Sequence, residues 1–140
     1  MSYILCATRG GEESLCAQDE AIEIAKERGE TLLFLYIVDL HFLDKTAAPI
    51  VVDVEDEVAD MGDFLLLVAK ERAAEQGVNA EGIRRKGNVR QEIKKVAVER
   101  DVSLVILGRP CGDESAFHLA ELQKFSEEIE AETDVKAEIV

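Results

Sequence analysis

The chain has 140 residues, 47% hydrophobic and 33% charged, a balance that supports one folded domain with a real core and excludes a disordered chain. Thirty acidic residues against sixteen basic ones leave a formal net charge of −14. Nucleic acid and anionic membrane surfaces both require a basic footprint, so neither is expected as a partner.

Strand and helix patterns alternate from end to end. Tyr3-Ile4-Leu5-Cys6-Ala7 is a short apolar run closed by Thr8-Arg9-Gly10-Gly11. Glu12 to Arg28 reads as a helix with Leu15, Ile22 and Ala25 on one face. Glu12 and Glu13 suit its positive end, and Gly29 stops it. Thr31 to Val38 is a second strand, apolar without a break from Leu32 to Ile37. Asp39 to Asp53 reads as the longest irregular connection, because Pro49 breaks a helix. Val54, Val58, Met61, Leu65 and Val68 then step at helical spacing, on a helix that runs to Gln76 before Gly77. Val78 to Lys86 alternates weakly, as a strand near a sheet edge does. Gly87-Asn88-Val89 opens a third helix, with Ile93, Val96 and Ala97 on one face, ending near Arg100. Val102 to Leu107 is a fourth strand, and Leu119, Leu122, Phe125 and Ile129 mark a fourth helix. Val135 to Val140 alternates as a closing strand.

This order predicts a single α/β domain over residues 1–140, a doubly wound five-stranded parallel sheet with helices on both faces and right-handed crossovers. Ligands of such sheets bind in the crevice beyond the carboxyl ends of the strands. The run Leu104-Val105-Ile106-Leu107 ends there at Gly108-Arg109-Pro110-Cys111-Gly112, whose glycines let a backbone pass close to a phosphate. Arg9 and Arg109 follow neighbouring central strands, and Arg84 and Lys86 lie near the same end of the third. Two readings are open for this cluster. A guanidinium fork captures phosphate or carboxylate, or the cations pair with Asp39, Asp113 or Glu114.

No catalytic constellation is legible. Ser103 lies inside a strand and Ser126 inside a helix. Cys111 follows Arg109 and precedes a helix, both of which lower a thiol pKa, but His118 and His41 are not placed to act as its base, so it reads as inert. Cys6 reads as a core residue and Cys16 as exposed. The acidic stretch Asp53, Glu55, Asp56, Glu57, Asp60 and Asp63 lacks the spacing of a calcium loop and reads as a solvated helix face. Two histidines and three scattered cysteines give no zinc spacing, so no metal is expected. An odd cysteine count without a C-x-x-C pair suggests a reducing compartment. Met1-Ser2-Tyr3-Ile4-Leu5 lacks the form of a signal peptide, and no apolar run approaches the roughly 18 residues that span a bilayer. A cytoplasmic protein is the expectation.

Ile4-Leu5-Cys6-Ala7-Thr8-Arg9-Gly10-Gly11-Glu12-Glu13-Ser14-Leu15, Lys86-Gly87-Asn88-Val89 leading to Ile93, and Val102-Ser103-Leu104-Val105-Ile106-Leu107-Gly108 carry a resemblance in their order and spacing. With Ile139-Val140 closing the sheet, the chain resembles the universal stress protein family over essentially its whole length. That resemblance implies a Rossmann-like fold and a homodimer paired through the last strand, Val135 to Val140, across a two-fold axis. It implies ligand-site positions at Thr8, Arg9, Ile37, Gly108, Arg109 and Gly112.

Members of the family either bind ATP or lack the nucleotide motif, which is Gly-x-x-Gly after the fourth strand and, further on, Gly-Ser or Gly-Thr. Here three residues instead of two separate Gly108 from Gly112. Alignment from the closing strand sets Gln123-Lys124 where Gly-Ser belongs, and Arg9 replaces an acidic residue near the adenine end. The resemblance therefore implies a non-catalytic stress-response or regulatory binding protein with no cofactor and no family-typical ATP site. The alternative is a protein that binds ATP, AMP or another phosphate-bearing anion, with slow ATP hydrolysis or autophosphorylation.

Overall fold

The computed structural model describes residues 2–8, 12–38, 48–108 and 115–140. Five strands and four helices alternate: β1 (Tyr3–Ala7), α1 (Glu12–Arg28), β2 (Thr31–Val38), α2 (Ala48–Glu75), β3 (Ala80–Lys86), α3 (Val89–Glu99), β4 (Val102–Leu107), α4 (Ser115–Thr133) and β5 (Lys136–Ile139). The strands form one parallel sheet in the order β3-β2-β1-β4-β5. The doubly wound α/β architecture expected from the alternation is the one observed.

Two cores account for the unbroken apolar strands. On one face, Ile4, Cys6, Leu32, Phe34, Tyr36, Leu104 and Ile106 pack against Ala17, Ala21, Ile22 and Ala25 of α1 and Leu66, Ala69 and Ala73 of α2. On the other, Leu5, Leu33, Leu35, Val105 and Leu107 meet Ile93, Val96 and Ala97 of α3 and Phe125 and Ile129 of α4. Successive strand residues thus point into opposite cores, which is why the central strands are apolar without alternation.

Two sequence expectations about the helices need correction. Pro49 does not exclude a helix: α2 begins at Ala48, so the proline sits in the first turn, where its missing N–H costs nothing. Residues 48–53 of the expected irregular connection are therefore helical, and 39–47 lie outside the described residues. The buried stripes also differ from the expected ones. Leu15 and Met61 are 43% and 57% exposed, while Ala17, Ala21 and Ala25 on α1 and Gly62, Leu66, Ala69 and Ala73 on α2 face the sheet. Ile22 and Ala25 are buried as expected, and small residues beside Ile22 and Leu66 let both helices sit close to the strands.

Local signals fix the helix ends. Asn88 caps α3, its side chain accepting a hydrogen bond from the Gln91 N–H at 3.1 Å. Gly87, at φ 139°, makes the turn that delivers it. The two sheet edges are the seven-residue β3 and the four-residue β5. β3 carries Glu81, Arg84, Arg85 and Lys86 along its edge, whereas β5 carries only Lys136 and Glu138.

Candidate functional site

The strand order reverses direction between β1 and β4, because the chain builds outward to β3 and then returns. This switch point opens the crevice of a doubly wound sheet. The register pairs Cys6 with Ile106 and Cys6 with Phe34. Thr8 and Gly108, each two residues further on, therefore stand at one level beside the switch.

Thr8 is 3% exposed and its N–H donates to the Leu35 carbonyl at 2.8 Å. Its hydroxyl accepts from Gln18 Nε2 at 2.7 Å, and Gln18 is itself buried within α1. Arg72 of α2 donates from one guanidinium nitrogen to Gln18 Oε1 and from the other to the Asp19 carboxylate. A continuous chain of donors and acceptors thus runs from the end of β1 through α1 to α2. It satisfies each buried polar atom it contains, as a low-dielectric interior demands. Among the described residues no buried side-chain nitrogen or oxygen lacks a partner.

The other expected site residues fall in two groups. Ile37, at the end of β2, packs partly buried against the core shared with α3 and α4, and Gly108 is half-buried at the end of β4. Arg9, Arg109 and Gly112 lie outside the described residues, as do Cys111 and the acids Asp39, Asp113 and Glu114. Arg84 turns to α2, donating to Asp63 at 2.6 Å and to the Ala59 carbonyl at 3.2 Å. It is therefore bound to a helix rather than aimed over the strand ends. Arg85 pairs with Glu99 and approaches Glu92 at 3.9 Å.

Gln123 and Lys124, the pair aligned with the family's Gly-Ser, lie within α4. α4 has already begun at Ser115, so both residues are exposed on its third turn, roughly 12 Å beyond the helix start.

Cys6 is fully buried, and burial pushes its thiol up to about 12, which makes it an inert core group. Cys16 is exposed. Among the described residues no group of His, Cys, Asp and Glu gathers as metal ligands do, and no helix is long and apolar enough to cross a membrane. Sequence reading missed Gln18 and Arg72. The available signal was a glutamine set between Ala17 and Ala21 on the buried face of α1.

Comparison with known proteins adds to this geometry. The sequence model of the universal stress protein family matches residues 1–112. Universal stress protein YxiE from Bacillus subtilis is 33% identical over 121 residues, covering 75% of this chain and 76% of its own. Universal stress protein UspA from Lactobacillus plantarum superposes with a TM-score of 0.78 at 19% identity, over 99% of this chain and 97% of that one. A universal stress protein solved in complex with cAMP superposes at 0.70 and 18% identity, over 99% of this chain and 96% of that one. The two structural likenesses establish a shared fold.

Proposed function

This chain belongs to the universal stress protein family, and from that premise we propose that it is a homodimeric, non-catalytic binding protein of the cytoplasm that acts in stress response or its regulation without the family-typical ATP site. The observation that carries this reading is the Thr8–Gln18 contact. At the end of β1, beside the switch point, the buried Thr8 hydroxyl is already engaged by Gln18, which Arg72 holds in turn. A ligand that drew on the Thr8 hydroxyl would have to compete with that hydrogen-bonded chain. Arg9 in place of an acid and the wider Gly108 to Gly112 spacing support the same reading from the sequence.

Dimerisation is proposed through β5. Its edge carries fewer charges than β3, and unprotected edges pair. Glu130 presently covers part of that edge, accepting from the Ala137 N–H at 3.2 Å.

A second reading has its own support. The fold neighbour solved with cAMP makes adenine nucleotide binding, with slow hydrolysis or autophosphorylation, the alternative for the crevice between Thr8 and Gly108. The two readings separate on purification. Protein purified without added nucleotide and denatured for mass spectrometry should release no stoichiometric nucleotide; stoichiometric ATP or AMP would favour the second reading.

A further inference from the structure

The outward face of α2 is built unlike that of a solvent-facing helix. Met61, Phe64 and Leu67 are 57%, 64% and 52% exposed, and half-buried Val68 adjoins them. Positions 61, 64, 67 and 68 are helical neighbours, so these side chains form one apolar island centred on Phe64. The opposite face of the same helix is seated on the sheet through Gly62, Leu66, Ala69 and Ala73. The island is therefore surplus to the core.

Acids close both ends of the island. Glu57 and Asp60 precede it and Glu71 and Glu75 follow it, all exposed. They lie with Phe64 along a single helical line that extends roughly 27 Å from Glu57 to Glu75. The basic residues of the neighbourhood are directed elsewhere. Arg84 holds Asp63, Arg72 holds Asp19 and Gln18, and the Lys70 stem leans over Gly82 of β3.

We propose that this face docks a cationic amphipathic helix of a protein partner, apolar at its centre and lysine- or arginine-bearing at both ends. Charge selects this occupant. A second copy of the chain placed across a two-fold axis at Phe64 would set Glu57 and Asp60 against Glu71 and Glu75, in a molecule already at −14. An anionic membrane surface is repelled for the same reason. A basic helix meets opposite charge at both ends and packs its apolar stripe against the island, as one helix face packs on another. Phe64, as the exposed aromatic at the centre, is the expected anchor. This surface, on the outward face of α2, shares no residue with the Thr8–Gln18–Arg72 network, so the two readings fail separately.

The test titrates the full chain with a synthetic helix of leucine and lysine, lysines at both ends, and with a glycine-serine-lysine peptide of equal charge. Binding is followed by amide chemical shifts over residues 57–75. The helix is expected to bind and the charge-matched control to bind at least about tenfold more weakly. Phe64→Ser is expected to weaken the helix by about tenfold, and Asp60→Asn with Glu71→Gln to weaken it and flatten its salt dependence. Thermal unfolding of each variant establishes that the fold is kept. Equal binding of both peptides, shifts outside α2, or an affinity indifferent to Phe64→Ser overturns the assignment. So does loss of self-association in Phe64→Ser, or binding to anionic vesicles that depends on Phe64.

Discussion

Gly62 of α2 lies directly over the Tyr36 ring of β2: a Cβ built on Gly62 would stand 2.3 Å from Tyr36 Cδ1 and 2.5 Å from Cε1. No real Cβ tolerates that distance, so the absence of a side chain at Gly62 sets how closely α2 approaches the sheet. Tyr36 is 7% exposed and has core neighbours around it, which limits its ability to move aside. Gly62→Val is expected to lower stability by about 1–3 kcal/mol through overpacking. Urea unfolding monitored by circular dichroism checks this. An unchanged midpoint would mean that α2 is not seated on Tyr36.

Gln18 joins Thr8 to Arg72, and its removal strands both. Gln18→Leu keeps the volume and deletes the donor to the Thr8 hydroxyl and the acceptor for the Arg72 guanidinium. The expected cost is about 1–3 kcal/mol, most of it from Thr8, because half-buried Arg72 retains Asp19. Gln18→Glu keeps the acceptor for Arg72 but places a carboxylate against Thr8, whose hydroxyl is able to turn and donate. It should therefore be milder than Gln18→Leu in the same urea experiment. The reverse ranking would remove the network from the account.

The edge strand β5 supplies the third prediction. Truncation after Asp134 removes Lys136–Ile139 and is expected to give monomer or insoluble protein, read by sedimentation velocity. Glu130→Ala frees the Ala137 N–H and is expected to tighten the dimer, because the outward edge no longer has an internal partner. An intact dimer after truncation would exclude pairing through this strand.

Alkaline pH gives the fourth. The Cys6 thiol is raised from 9.0 to about 12 by burial, so above pH 9 the unfolded chain loses a proton that the native chain retains. This contribution to stability is complete below pH 9 and declines as pH rises towards 12. Lys94 acts in the same direction from about 10.5 upward, since its hydrogen bond to Glu132 raises its pKa. Urea midpoints measured across this range should fall for the native sequence and fall less for Cys6→Ala, whatever the neutral-pH penalty of the cavity. Parallel curves would contradict the assignment to Cys6.

The strands were readable because a parallel sheet covered on both faces requires continuous apolar runs, as in Leu32 to Ile37 and Leu104 to Leu107. The helix faces were less so. Hydrophobic periodicity selects large residues, and here alanines and a glycine do much of the burying beside Ile22 and Leu66, while Leu15 and Met61 face outward. Proline alone also misleads, since Pro49 breaks a helix interior and is accommodated in a first turn. Thr8, Ile37 and Gly108 could be located because they end strands. Gln18 and Arg72 could not, because their partners lie 10 and 54 residues away in sequence.

The central claim is that a universal stress protein fold is here used without the family-typical ATP site, and calorimetric titration of ATP into the purified protein tests it most directly, with AMP and inorganic phosphate as parallel titrants. The account predicts no saturable heat from ATP at micromolar concentration and no phosphate release on incubation. Saturation by ATP in the micromolar range, abolished when Gly108 is replaced by valine, would contradict it.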